Sequence, residues 1–126
     1  MRILITLLLV CCFSLTQAQS DSSLTVIYGH TCGFIPQPPN EWRINERWIR
    51  NEELDSINGW LSSENNAKVV YAITALIRMQ DSINLSTEQI SKITRYKVGT
   101  YPVATCQGCV IEFKTSKEVL ERFHIK

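Results

Sequence analysis

Apolar positions along the chain fall into blocks of different period. Ile3 to Phe13 is apolar except at Thr6. Leu24 to Tyr28 is β-prone and predicts a short strand or an extended apolar arm. Gly33, Pro36, Pro38 and Pro39 make Gly29 to Asn40 a loop, and Asn40 can cap a helix that begins there. Ile44 and Trp48 are four apart, so Glu41 to about Arg50 reads as a helix with one buried face. Asn51-Glu52-Glu53 reads as a cap and two acids opening a second helix, with Leu54, Ile57 and Leu61 on one side and Trp60 alongside. Asn65-Asn66 is a turn and cap. Ala67 to Met79 is the strongest helix, its apolar face carried by Val69, Val70, Ile73, Leu76 and Ile77, with Lys68, Thr74 and Arg78 outside. Ser86-Thr87-Glu88-Gln89 is a capping box, with Leu85 and Ile90 spaced as a hydrophobic staple, and Gly99 ends that helix. After Pro102 come a Cys106-Gln107-Gly108-Cys109 turn and the β-prone Val110 to Phe113. Ser116 is the expected cap of a last short helix over residues 117–123.

The first block has the layout of a secretory leader: Arg2, an apolar run, then Gln17-Ala18 as a small-residue cleavage signal. It is shorter than the ~20 apolar residues of a spanning helix. The expected organisation is a signal peptide over residues 1–18 and a single small helical domain over 19–126. The product is exported, periplasmic or extracellular, with no membrane span in the mature chain. A lipid anchor on Cys11 or Cys12 is the other fate of such an N-terminus, but Val10 is not the small residue expected before a modified cysteine. Asn84-Leu85-Ser86 matches a glycosylation acceptor.

Charge narrows the partners. Lys and Arg number 13 against 12 Asp and Glu, and Arg2 is the leader's only charge, so the remainder is neutral. That balance argues against nucleic acid, which selects a basic stripe, and against a polybasic membrane-surface role.

Three cysteines lie beyond the leader: Cys32, Cys106 and Cys109. In an oxidising compartment they read as a disulfide framework with one thiol left over. A Cys106–Cys109 bridge closes a short loop, worth about 2 kcal/mol in the chain-entropy model. A bridge from Cys32 to either partner closes more than seventy residues and approaches ~4.5 kcal/mol. Energy favours the long bridge, and proximity with the Gly108 turn favours the short one. The balance leans to the long bridge. Two chemical alternatives stand beside this structural reading. Cys106 and Cys109 could form a thiol-disulfide redox pair, although strand rather than helix comes after Cys109. His30, Cys32, Cys106 and Cys109 could form a Cys3His zinc set, although His-x-Cys is tight spacing. Val110 stands where a haem attachment site would need His. No nucleophile elbow, His-Glu-x-x-His or phosphate loop occurs, so the expectation is a protein that is not an enzyme and needs no cofactor.

Trp42, Trp48 and Trp60, with Arg43, Arg47 and Arg50, are the residue types enriched in binding hot spots. Trp48 and Trp60 fall on apolar faces, which leaves Trp42, Arg43 and Arg47 as the expected contact residues.

Trp60-Leu61-Ser62-Ser63-Glu64-Asn65-Asn66-Ala67, continued by the apolar helix through Met79, resembles the turn and second helix of a HEAT-like repeat. With Cys32-Gly33-Phe34 early and Cys106-x-Gly-Cys109 late, the chain is similar to small exported bacterial proteins built on such pairs. The likeness covers residues 41–97. It implies a mainly α fold of short antiparallel HEAT-like helix pairs, with an extended N-terminal arm and a small Cys-bearing loop or hairpin near the C-terminus. It also implies binding or scaffolding of a protein or cell-envelope partner. A solenoid needs about three or more stacked repeats, so a closed domain is expected rather than an array.

Overall fold

The computed structural model of the chain describes residues 26–33 and 37–126. The expected leader and Leu24 lie outside the described residues. The described chain is mostly helical, with helices α1 (Asn40–Arg50), α2 (Leu54–Leu61), α3 (Asn66–Met79), α4 (Thr87–Val98) and α5 (Ser116–Leu120). Between α4 and α5, strands β1 (Pro102–Gln107) and β2 (Val110–Thr115) form an antiparallel hairpin.

The interior is built around α3. Asn65 starts it by accepting from the backbone N–H of Ala67 and Lys68 at 3.0 and 3.2 Å. Eleven of its fourteen residues are buried, as expected of a helix that is apolar nearly all round. Its neighbours are α1, α2, β1 and α5. The small Ala72 and Ala75, both 0% exposed, permit this close approach. Thr74, expected outside, is instead 5% exposed. Its hydroxyl donates to the carbonyl of Tyr71 at 2.9 Å, the back-bond that lets a threonine sit inside a helical core.

Local signals elsewhere are close to the sequence reading, with shifts of one to three residues. Ser86 and Gln89 make the capping box of α4. Tyr96, buried on α4, stacks on Tyr101 and donates to Asn66 at 2.9 Å. The cap of α5 is Thr115 rather than Ser116. Thr115 exchanges hydrogen bonds with Glu118 in a second capping box, and its backbone N–H holds the Glu118 carboxyl below the ordinary carboxylate range. Ser116 is fully buried and donates to the Gly99 carbonyl at 3.0 Å. Residues 51–53 also differ from the expectation. Asn51 closes α1, Glu53 precedes α2, and Glu52 between them is left-handed, with φ 53°.

β1 pairs with β2 from Pro102↔Thr115 to Gln107↔Val110. Gly108, at φ 61°, opens the two-residue turn, in the pattern of a type II′ hairpin. The other edge of β1 takes a single parallel bridge from Tyr28. There the Tyr28 N–H donates to Ala104 at 2.8 Å and the Cys106 N–H donates back at 3.1 Å. With the arm on one edge and β2 on the other, Val103 to Cys106 are all buried, whereas β2 is exposed along nearly its whole length.

Candidate functional site

Cys32 and Cys106 form a disulfide across a sequence separation of 74, with Cα atoms 5.5 Å apart. This is the long bridge. It is reinforced by the Gly33 N–H donating to Gly108 at 2.8 Å. Gly29 lies so close to β1 that a Cβ there would stand 2.7 Å from the Cys106 carbonyl oxygen, so only glycine fits. Cys109 is a free, exposed thiol. The bridge uses one sulfur of the Cys106–Cys109 redox pair and two of the four donors of the zinc set. Among the described residues no group of three or more His, Cys, Asp or Glu side chains is gathered for a metal.

The arm is also held from within. The Tyr71 hydroxyl, on α3, accepts from the Gly29 N–H at 3.1 Å and lies 2.9 Å from the Ile27 carbonyl, to which it donates. The Tyr28 ring packs on the Tyr71 ring with centroids 4.8 Å apart. Burial pushes both phenols above the ordinary tyrosine range.

This attachment creates a cleft. α1 places Trp42, Asn45 and Glu46 at i, i+3 and i+4, on the side that faces α3. The arm adds Tyr28 and His30, and the segment after α5 adds Arg122 and Phe123. The cavity is about 350 Å³. Its walls are largely aromatic: the His30 and Trp42 rings lie 5.7 Å apart, and the Arg122 guanidinium lies 5.7 Å from the Phe123 ring centre. On one side Glu46 and Arg78 form a two-point ion pair, which keeps the guanidinium charged. Arg122 is exposed and forms no ion pair among the described residues. Tyr28, His30 and Arg122 also line a second, more polar cavity against Thr105, Glu112 and Lys114, so the two hollows share a border.

Asn45 is the unusual member. It is 3% exposed, and its Oδ1 has no hydrogen-bond partner among the described residues. Leaving such an acceptor unsatisfied costs about 1–3 kcal/mol. The oxygen is shielded while Asn45 lines the cleft, so a ligand that opens the cleft enough to bring a donor to it relieves that cost.

The expected contact trio divides between two faces. Trp42 is half-buried, lines the cleft and packs against the core. Arg43 and Arg47 are exposed, on a stripe continued by Arg50. Trp48 and Trp60 pack edge to face at 4.6 Å beside the core. Sequence reasoning does not single out Tyr71, Asn45 or Arg122. For Asn45 a signal exists, since it falls three residues after Trp42 and four before Ile49, at a core position of the same helix. For Tyr71 and Arg122 the partners are too distant in sequence to leave one.

Comparison of the chain with family models, with curated proteins and with solved structures finds no match.

Proposed function

We propose that this chain is an exported, non-enzymatic binding module, its α1–α3 helices arranged as HEAT-like pairs. In this reading a protein or cell-envelope partner inserts a small group into the cleft beside Trp42. The observation that carries it is the unpartnered, buried Oδ1 of Asn45 at an aromatic-walled hollow. The inserted group has a hydrogen-bond donor for Asn45, an apolar body against Trp42 and Phe123, and an acidic end within reach of Arg122. The leader pattern supports export, and a disulfide suits an oxidising compartment. The HEAT-like arrangement draws support from α2 and α3, consecutive helices that pack together across the short turn 62–65.

Asn45→Leu tests the reading by separating fold from binding. Leucine is close in volume and removes the unsatisfied acceptor, so the variant should melt higher, by up to ~2 kcal/mol of added stability. It should also lose the NMR shift changes that a panel of small amphipathic amino acids produces at the Trp42 indole of the parent protein. A lower melting point for Asn45→Leu, or shift changes unaffected by it, would make Asn45 a structural residue and remove the cleft as the site.

A further inference from the structure

β2 is an open edge strand, and its backbone phase can be worked out. Tyr28 takes the carbonyl of Ala104 and the N–H of Cys106. Main-chain groups alternate sides along a strand, so Val103, Thr105 and Gln107 direct theirs toward β2. Their partners Lys114, Glu112 and Val110 direct theirs back. Ile111 and Phe113 therefore present their N–H and C=O groups outward, and neither has a backbone partner among the described residues. Their side chains share one face of the strand and are 55% and 57% exposed. Natural sheets shorten, charge or cover such an edge. Here Glu112 and Lys114 lie on the opposite face and meet each other at 3.1 Å.

We propose that β2 is a self-association edge, which pairs antiparallel with β2 of a second copy about a two-fold axis at Phe113. Three features select this occupant and register. Phe113 is an outward-phase residue, so it exchanges two hydrogen bonds with its symmetry mate. Phe113 meets Phe113 across the axis, with each Ile111 diagonal to the other ring, which joins two exposed apolar pairs into one cluster. Antiparallel pairing about residue 113 also sets Glu112 of each copy opposite Lys114 of the other, giving two cross-strand ion pairs. An axis at Glu112 would instead place carboxylate against carboxylate, which is destabilising. The strand is thus complementary in charge to its own inverted copy. The contact is small, in the class of weak, transient interfaces, so it forms in a concentration-dependent way. It is independent of the Asn45 cleft.

Sedimentation velocity of the oxidised protein over about a hundredfold range of concentration tests the proposal. The expected result is a shift from monomer to dimer. Glu112→Lys and Lys114→Glu, each on the exposed face of an edge strand, should each weaken the dimer about tenfold by opposing like charges. The double swap should restore it. The two Cys109 residues lie toward opposite ends of the paired strands, so Cys109→Ser should leave the dimer intact. A monomer at every concentration overturns the proposal, whether the edge is covered by the chain's own N-terminal residues or left for a different protein. A dimer indifferent to the single swaps, one not restored by the double swap, or one abolished by Cys109→Ser overturns it as well.

Discussion

Around α3 the molecule is held by density, and around β1 it is held by a few discrete ties. Val69, Val70, Ala72, Ile73, Ala75 and Leu76 are fully buried on one helix. No single contact there is indispensable to the position of the others. At the other end, Val26 to Gly33 is positioned by two backbone bridges, at Tyr28 and Cys32, by one disulfide, by the Tyr71 hydroxyl and by the buried side chains of Val26 and Tyr28. The difference teaches where a binding cleft can arise. A close-packed helical core leaves no room for an unpartnered polar atom, whereas a tethered arm laid across its border leaves a hollow with Asn45 on one side and Tyr28 and His30 on the other. The arm is thus both a fastening and a wall of the site.

Removing the covalent tie should produce the largest effect. In the chain-entropy model a loop of this length is worth about 4.5 kcal/mol, so replacing both Cys32 and Cys106 with Ser should lower unfolding stability by up to that amount. Amide exchange should then distinguish the two regions. Protection should fall first at Tyr28, Gly33 and Cys106, while the α3 amides keep theirs until global unfolding. Uniform loss across both regions would mean that arm and core unfold as one unit.

Tyr71→Phe cuts the other tie from the core side, and should cost about 2 kcal/mol by leaving the buried Gly29 N–H unpaired. It should also change the alkaline limb of stability. The Tyr71 phenol is raised above its ordinary value of 10.0, chiefly by burial. Its stabilising contribution is therefore complete below the pH at which tyrosine ionises in the unfolded chain, about pH 10, and is lost as pH rises toward the folded value. Tyr28, raised for the same reason, adds to the same limb. Thermal melts from pH 8 to 11 should show a shallower decline for Tyr71→Phe than for the parent. Parallel curves would place the alkaline loss elsewhere.

The two regions also differ in how much of them is legible in the sequence. Asn65 and the Ser86–Gln89 box act within a turn of their own helices, and the apolar spacing of α3 is dense enough to survive any context. The hairpin is partly legible: the Gly108 turn before the β-prone Val110 to Phe113 allows a loop or a hairpin, and the structure holds the hairpin. Thr74 misleads because one polar residue on a helix looks solvated until its back-bond to Tyr71 is seen. The cleft is illegible because its walls come from the arm, α1, α3 and the segment after α5, and the long Cys32–Cys106 bridge hints only that the arm reaches β1. Trp42, expected as a contact residue, lies at the border between the regions, half covered, where a tryptophan can serve core and ligand together.

The exposed turn between α1 and α2 joins two helices of the densely packed region, and it contains the only non-glycine residue with positive φ among the described ones, Glu52 at 53°. A side chain in the left-handed region costs about 1–2 kcal/mol relative to right-handed backbone. Glycine removes that strain but adds freedom to the unfolded chain, which offsets part of the gain. Glu52→Gly should therefore stabilise the protein modestly, by about 0.5–1 kcal/mol, read as a small rise in denaturation midpoint with an unchanged slope. The gain depends on Glu52 contributing nothing through its side chain, which is exposed and has no salt bridge with another described residue. The turn itself is fixed by backbone: the Glu53 N–H donates to Trp48 at 2.9 Å and the Leu54 N–H donates to Glu52 at 2.9 Å. Glycine preserves both bonds. A drop in stability would show that the Glu52 carboxylate acts on the start of α2 through space, and the helical region would then depend on a discrete tie of its own.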